Sequence, residues 1–259
     1  MKNEVFLSVV IPCYNESDNL QRGVLNEVNN FLRTQDFSWE VIVSDDGSTD
    51  NSRDLVKKIV SEKKNFRLKE NSHGGKPSAV WGGIQEARGE YVLFTDMDQS
   101  TPIREILKLI PYFQTYQVII GSRGSERENF SLIRKVGSNV FRLFRKTLLL
   151  PEINDTQCGF KAFKTEVAKK IFPMLEFFKK EKEVKGWKVT SFDVELLFIA
   201  KKLGYKIKEV PVEWKDRDIA KGKKKSYFKE SKEMLGQIIR VKLNDLKGLY
   251  SDRIKTPRA

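Results

Sequence analysis

Histidine and cysteine are nearly absent from this 259-residue sequence, which has one His (His73) and two Cys (Cys13 and Cys158). That excludes a disulfide framework or a Cys/His zinc centre, and any Ser-His-Asp scheme would rest on His73 alone. Cys13 and Cys158 read as small packed side chains. No apolar run approaches the 18 or so residues of a spanning helix. Pro12 and then polar residues interrupt the first apolar run too soon for a signal-peptide core. Internal repeats are missing, and the one biased tract is Lys221-Gly222-Lys223-Lys224-Lys225. A cytoplasmic protein without signal peptide or transmembrane helix is expected.

Enough apolar material remains for a core: 39% of residues are hydrophobic, including 17 Phe and 4 Trp. Charge is plentiful and uneven. Lys and Arg number 48 against 35 Asp and Glu, a net charge of +13. The stretch from Lys201 to Ala259 holds +10 of it. A basic end on a near-neutral body points to a polyanionic surface, either anionic membrane or nucleic acid, unless it is only a solvated tail. No helix-turn-helix, zinc-finger or aromatic RNA-binding pattern accompanies it, so no nucleic-acid partner is expected.

The first half alternates strands and helices. Leu7–Pro12, Glu40–Val43, Phe66–Lys69, Tyr91–Phe94 and Val118–Ile120 read as strands. Between them, Leu20 to Leu32, Leu55 to Val60, Pro77 to Arg88 (with Gly89 as its closing glycine) and Ile103 to Phe113 carry helical spacing. Short connections of this kind predict a mostly parallel, doubly wound α/β sheet. Further on, Ser131–Leu150 reads as a basic amphipathic helix, Phe192–Leu203 as a helix closed by Gly204, and Tyr205–Trp214 as a strand. A second basic amphipathic helix is predicted over Ser226–Tyr250, with Met234, Leu235, Ile238, Ile239 and Leu243 on one side.

Two acidic clusters follow predicted strands: Asp45-Asp46 after the second and Asp96-Met97-Asp98 after the fourth. Ligands of open α/β sheets bind beyond the carboxyl ends of the strands, and carboxylates gathered there suit Mg²⁺ or Mn²⁺ with a diphosphate. A lone D-x-D is more often ordinary turn chemistry, but two clusters after two strands favour a site. The Gly-rich loop Asn71–Lys76 lacks P-loop spacing, and is expected to shape a donor pocket.

These segments resemble a family. Val10-Ile11-Pro12-Cys13-Tyr14-Asn15-Glu16, Asp45-Asp46-Gly47-Ser48-Thr49-Asp50 and the D-x-D at Asp96/Asp98 follow the order of family 2 inverting glycosyltransferases with the GT-A (Rossmann-like) fold. Gly121-Ser122-Arg123, Asp155-Thr156-Gln157-Cys158-Gly159-Phe160-Lys161 and Phe192-Asp193-Val194-Glu195-Leu196-Leu197 are similar to its dolichyl-phosphate β-glucosyltransferase branch. The likeness spans roughly residues 7–217.

The resemblance implies nucleotide-sugar binding by Pro12, Tyr14, Glu16, Asp45, Asp46 and Asp96, and metal binding by Asp96 and Asp98, while Lys76 of the Gly-rich loop is a further nucleotide-sugar candidate. The resemblance also implies Arg123 near the diphosphate or acceptor phosphate, Arg134 at the acceptor phosphate, Arg217 as an arginine that closes over the site and Asp193 in the base-like position, with Asp193, Arg123 and Arg217 as the catalytic set. Mannosyltransferase relatives carry a Gln two positions after the second Asp, where this sequence has Ser100, with Gln99 one position early. Residues 1–124 would form the nucleotide-sugar half, 125–217 the acceptor half of the same domain, and 218–259 the basic C-terminal segment.

The expected reaction is metal-dependent, inverting hexose transfer, with glucose from UDP-glucose favoured, to a polyprenyl or dolichyl phosphate at an anionic membrane surface. A phosphate acceptor arrives ionised and needs no strong base, whereas the alternative, a sugar hydroxyl in glycan or polysaccharide assembly, would need Asp193 as one. As a first-turn helix acid, Asp193 also has a purely structural reading. The membrane anchor of the dolichyl enzymes does not occur in this sequence, so a bacterial-type, peripherally associated enzyme is expected.

Overall fold

The computed structural model describes residues 5–124, 144, 146–179, 192–219 and 227–250. Among them, seven strands form one sheet in the order β3-β2-β1-β4-β6-β5-β7. The strands are β1 (Leu7–Cys13), β2 (Trp39–Asp45), β3 (Phe66–Glu70), β4 (Tyr91–Phe94), β5 (Val118–Ser122), β6 (Lys161–Lys164) and β7 (Ile207–Pro211). β6 alone runs against the others, antiparallel to β4 and β5 on either side. Every residue of β1 is buried, as a strand flanked by parallel neighbours and covered on both faces requires.

Alternate residues along the strands feed two cores. Val10, Ile42, Val92, Phe94, Ile120 and Phe163 face one side, covered by α4 (Lys76–Glu86), α6 (Thr165–Ile171), α7 (Phe192–Lys202) and α8 (Tyr227–Leu246). Val9, Ile11, Val41, Val43, Leu93 and Ile119 face the other, covered by α1 (Ser17–Gln21), α2 (Val24–Leu32), α3 (Ser52–Glu62) and α5 (Ile106–Leu109). The sheet is doubly wound, as the alternation of apolar runs predicts.

Several local readings are corrected. The helix expected from Leu20 to Leu32 is two helices, broken at Gly23, where φ is +87°. Ile103–Phe113 holds one turn of α5 between two 3₁₀ turns, because Pro111 has no N–H to continue the ladder. The strand expected over Tyr205–Trp214 is confined to Ile207–Pro211. β6 and α6 were not anticipated, since a four-residue strand beginning with a lysine has no clear alternation. Of the helix expected over Ser131–Leu150, only its end lies within the described residues, where helical turns occur near Phe144 and Lys146. Gly204 does close α7: it takes φ +80°, its N–H reaches the Lys201 carbonyl, and the Tyr205 N–H reaches that of Ala200.

Gly89 closes no helix. α4 ends at Glu86 with Ala87 extended, and a Cβ on Gly89 would sit 2.6 Å from the Ser8 nitrogen and 2.8 Å from the Tyr91 oxygen. Glycine is needed because backbone passes backbone there. Gly236 in α8 has open space where a side chain would begin. Gly89→Ala is therefore expected to cost about 1–3 kcal/mol of stability and Gly236→Ala to add roughly 1 kcal/mol, as read by urea unfolding.

Candidate active site

The parallel strands deliver Cys13, Asp45, Phe94 and Ser122 to one edge of the sheet. Because β6 is antiparallel, it begins at that same edge, and Lys161 pairs there with Phe94. The preceding segment Asp155–Phe160 is thereby brought beside the D-x-D, which the sequence places some 60 residues earlier.

Asp45 and Asp46 are both wholly buried. Asp45 Oδ2 accepts from the Gly47 and Ser48 amides and from Arg53 (2.8 Å), while its Oδ1 has no hydrogen-bond partner. Asp46 accepts from the amides of Gly74 (2.9 Å) and Gly75 (2.7 Å), and its Oδ2 lies 2.9 Å from His73 Nδ1. Burial raises the Asp46 pKa against the opposing pull of those amides and of His73. His73 stacks on Tyr14 with ring centroids 4.5 Å apart. Its location in the Asn71–Lys76 loop hid this link between the two motifs. Pro12 is buried in β1 opposite Ser44, and Glu16 is buried at the start of α1, accepting from Asn19 at 2.7 Å.

Lys76 opens α4 and reaches Asp96 Oδ1 at 2.5 Å. Burial would lower the Lys76 pKa, but Asp96, Asp193 and Asp98 outweigh it, so the ammonium is favoured. Asp98 accepts from the Ser100 amide, and its pKa is raised by burial and then by the charge of Asp96. Asp96 packs so closely on Gly159 that a Cβ there would lie 2.0 Å from its Oδ2.

Asp193, in the first turn of α7, pairs at 2.6 Å with Lys161 Nζ, a side chain with no exposure. The same ammonium donates to the Cys158 carbonyl and lies 5.4 Å from the Phe94 ring centre. Lys161 was read only as part of a motif; its burial among apolar residues is what marks it. Arg123 is held by Asp155 through Nε (2.7 Å) and Nη2 (2.9 Å), with its guanidinium carbon 5.7 Å from the Trp214 ring centre. Burial would raise the Asp155 pKa, yet Arg123 prevails and holds the carboxyl well below the usual carboxylate range.

Not every candidate converges. The Arg217 side chain turns to Glu27 of α2 (2.9 and 3.0 Å), although its N–H bonds the Ser100 hydroxyl beside the D-x-D. Arg22, which the sequence did not mark, donates to both the Arg217 carbonyl (2.7 Å) and the Asp98 carbonyl (2.8 Å), tying the two segments together. Gln99 donates to the Asp96 carbonyl and lines a separate pocket with Glu27, Phe31 and Arg217. Arg134 lies outside the described residues.

The donor set fits a divalent cation. Asp96 and Asp98 are hard oxygen ligands, and the charge of one raises the pKa of the other, a repulsion that a cation relieves. Among the described residues no group of three or more His, Cys, Asp and Glu could hold a metal ion. Two carboxylates with the remaining positions filled by phosphate oxygens and water are the usual arrangement for Mg²⁺.

The fold is that of the GT-A glycosyltransferases. Glucosyl-3-phosphoglycerate synthase from Mycobacterium tuberculosis, solved with Mn²⁺, UDP and glucosyl-3-phosphoglycerate, aligns at TM-score 0.60 and 20% identity over all of this chain and 83% of that one. Mannosyl-3-phosphoglycerate synthase from Rubrobacter xylanophilus aligns at TM-score 0.65 and 14% identity, covering 98% and 77% of the two chains. Residues 8–172 match the model for glycosyl transferase family 2, and the chain belongs to that family and is a glycosyltransferase. Among its relatives, the dolichyl-phosphate beta-glucosyltransferase of Dictyostelium discoideum is 33% identical over 96% of this chain and 77% of its own length. The human enzyme of that name is 33% identical over 80% of this chain and 67% of its own length.

Gly159→Ala is expected to lower kcat/KM by about 10²-fold with little change in Tm, because the short Asp96 side chain must move while the core stays intact. For Asp155→Asn, loss of the buried pair is expected to cost about 3–5 kcal/mol at neutral pH. A depressed carboxyl pKa stabilises above its unfolded value of about 3.9, so this deficit narrows as pH falls below about 4 in unfolding titrations.

Proposed function

We propose that the chain transfers glucose from UDP-glucose to a polyprenyl or dolichyl phosphate, with Mg²⁺ or Mn²⁺ and with inversion, at the surface of an anionic membrane. The names of its relatives support the sugar and the acceptor. The observation that carries the acceptor class is the Lys161–Asp193 pair. Asp193 is already engaged by a wholly buried ammonium at 2.6 Å, so an acceptor hydroxyl would have to compete with Lys161 for its carboxylate. An acceptor that arrives ionised needs no general base, and a phosphate monoester loses its second proton near about pH 6.

In this reading residues 1–124 hold the donor. Tyr14, Asp45 and Asp46 border the nucleoside, with Pro12 and Glu16 shaping that wall. Lys76 lies beside Asp96, where a donor diphosphate would gain its charge. When bound at Asp96 and Asp98, a divalent cation would neutralise the departing nucleoside diphosphate. The acceptor oxygen forms its bond to the anomeric carbon as the bond to the diphosphate breaks on the opposite face. Residues 125–217 take the acceptor together with Arg123 at the boundary of the two halves, which offers Nη1 while Asp155 occupies its other edge, with Arg134 as the second cation. Arg217 closes the site by leaving Glu27.

Purified protein supplied with UDP-glucose and Mg²⁺ or Mn²⁺ is expected to release UDP only when a short polyprenyl phosphate is present. Asp193→Asn should cost about 3–5 kcal/mol of stability, because Lys161 loses its counter-charge, but under conditions where the variant is folded it should lower turnover less than about 10-fold, since no proton transfer by this group is required. A loss of 10³-fold or more, in a variant that still melts cooperatively, would favour a hydroxyl acceptor. Absence of UDP release with folded protein, metal and lipid phosphate would remove this donor and acceptor pair.

A further inference from the structure

α8 is apolar on two opposite sides. Ile238 and Val241 are buried against the core that also holds α7, and Asn244 turns the same way. Tyr250 secures that face, its hydroxyl donating to Glu195 Oε1 at 2.8 Å and its ring lying 5.7 Å from that of Phe198. On the far side, Ile239, Leu243 and Leu246 are 51%, 48% and 72% exposed. At about 100° per residue these three fall within roughly 60° of one another and lie opposite the buried face. The sequence pattern predicted Ile238, Ile239 and Leu243 on one side, but Ile238 is buried while Ile239 and Leu243 face away from the core. A solvated surface helix needs no such stripe, and the core is already served by the other face.

Cations border the stripe on both sides. Arg240 and Lys247 lie along one margin and are exposed, and Lys242 lies along the other with its side chain 39% exposed. Asp245 adds little negative potential, because Lys202 pairs with it. An apolar line with basic margins matches a helix lying in the headgroup region of an anionic bilayer. An isologous contact between two copies would instead bring like charges together along both margins. We propose that the α8 face formed by Ile239, Leu243 and Leu246, bordered by Arg240, Lys242 and Lys247, is the surface by which this protein docks on anionic membrane. The proposal rests on the lipid-phosphate reading above and names the part of the molecule that meets the bilayer.

The test is sedimentation with vesicles of phosphatidylcholine, alone and mixed with phosphatidylserine, alongside light scattering without lipid. Wild-type protein is expected to bind the mixed vesicles, less so at high salt, and the triple variant Ile239→Ser/Leu243→Ser/Leu246→Ser to bind at least about tenfold more weakly. Leu246→Ser alone, at the most exposed position, should show a smaller loss in the same direction and serves if the triple variant melts early. UDP release with a short soluble polyprenyl phosphate should be unchanged in both variants, which separates docking from catalysis. If that release is absent in the wild type while vesicle binding follows the stripe, the acceptor reading fails and the docking surface stands. The docking proposal is overturned if wild-type protein does not bind the mixed vesicles or if folded variants bind them as wild type does. It is also overturned if wild-type protein is a dimer that the substitutions dissociate while leaving vesicle binding intact.

Discussion

Six carboxylates crowd one sheet edge, four of them buried, and the need to offset their charge organises the rest of the structure. Asp45, Asp46, Asp96, Asp98, Asp155 and Asp193 meet beyond the strand ends. Asp45 has Arg53, Asp96 has Lys76, Asp155 has Arg123 and Asp193 has Lys161, all within 2.5–2.8 Å. Asp46 relies on backbone amides of the Gly-rich loop and on His73. Asp98 is left with the Ser100 amide and a pKa raised by burial and by Asp96. It is the carboxylate with most to gain from an added cation.

The pairings also divide the labour. The Arg53, Lys161 and Arg123 pairs each give one carboxylate a cation of its own. Lys76 differs, since it faces three aspartates at once and its charge is shared among them. A ligand carrying phosphate that draws on Lys76 takes charge chiefly from Asp96, the carboxylate a bound divalent cation would also serve. The C-terminal segment is coupled to this edge through peptide groups as well as side chains. Lys215 donates to the Ser100 carbonyl, and Arg22 bridges the carbonyls of Asp98 and Arg217. Movement of residues 212–219 would be felt at the D-x-D.

Much of this was legible along the chain. Apolar runs of strand length located β1, β2, β4 and β5, and the acidic turns located the donor edge, because parallel strands buried on both faces leave a strong continuous signal, which the edge strand β3 lacks. The antiparallel β6 was hidden, since four residues led by a lysine carry no periodicity. The helix 20–32 was overextended because its apolar spacing continues through Gly23, where the backbone turns. Side chains that serve the site through contacts distant in sequence, such as Arg22 and His73, had no local pattern to betray them.

The sequence by itself determined the doubly wound class, the family and the aspartates of the donor edge, because these rest on local periodicity and contiguous motifs. Only the tertiary structure decided which cation each aspartate receives. Lys161 and Asp193 are 32 residues apart, and Arg123 and Asp155 are equally distant; an ion pair depends on distance in space. The two opposite apolar faces of α8 were likewise decided there. Hydropathy can count apolar residues on a helix, but only packing against α7 shows which of them the core has used.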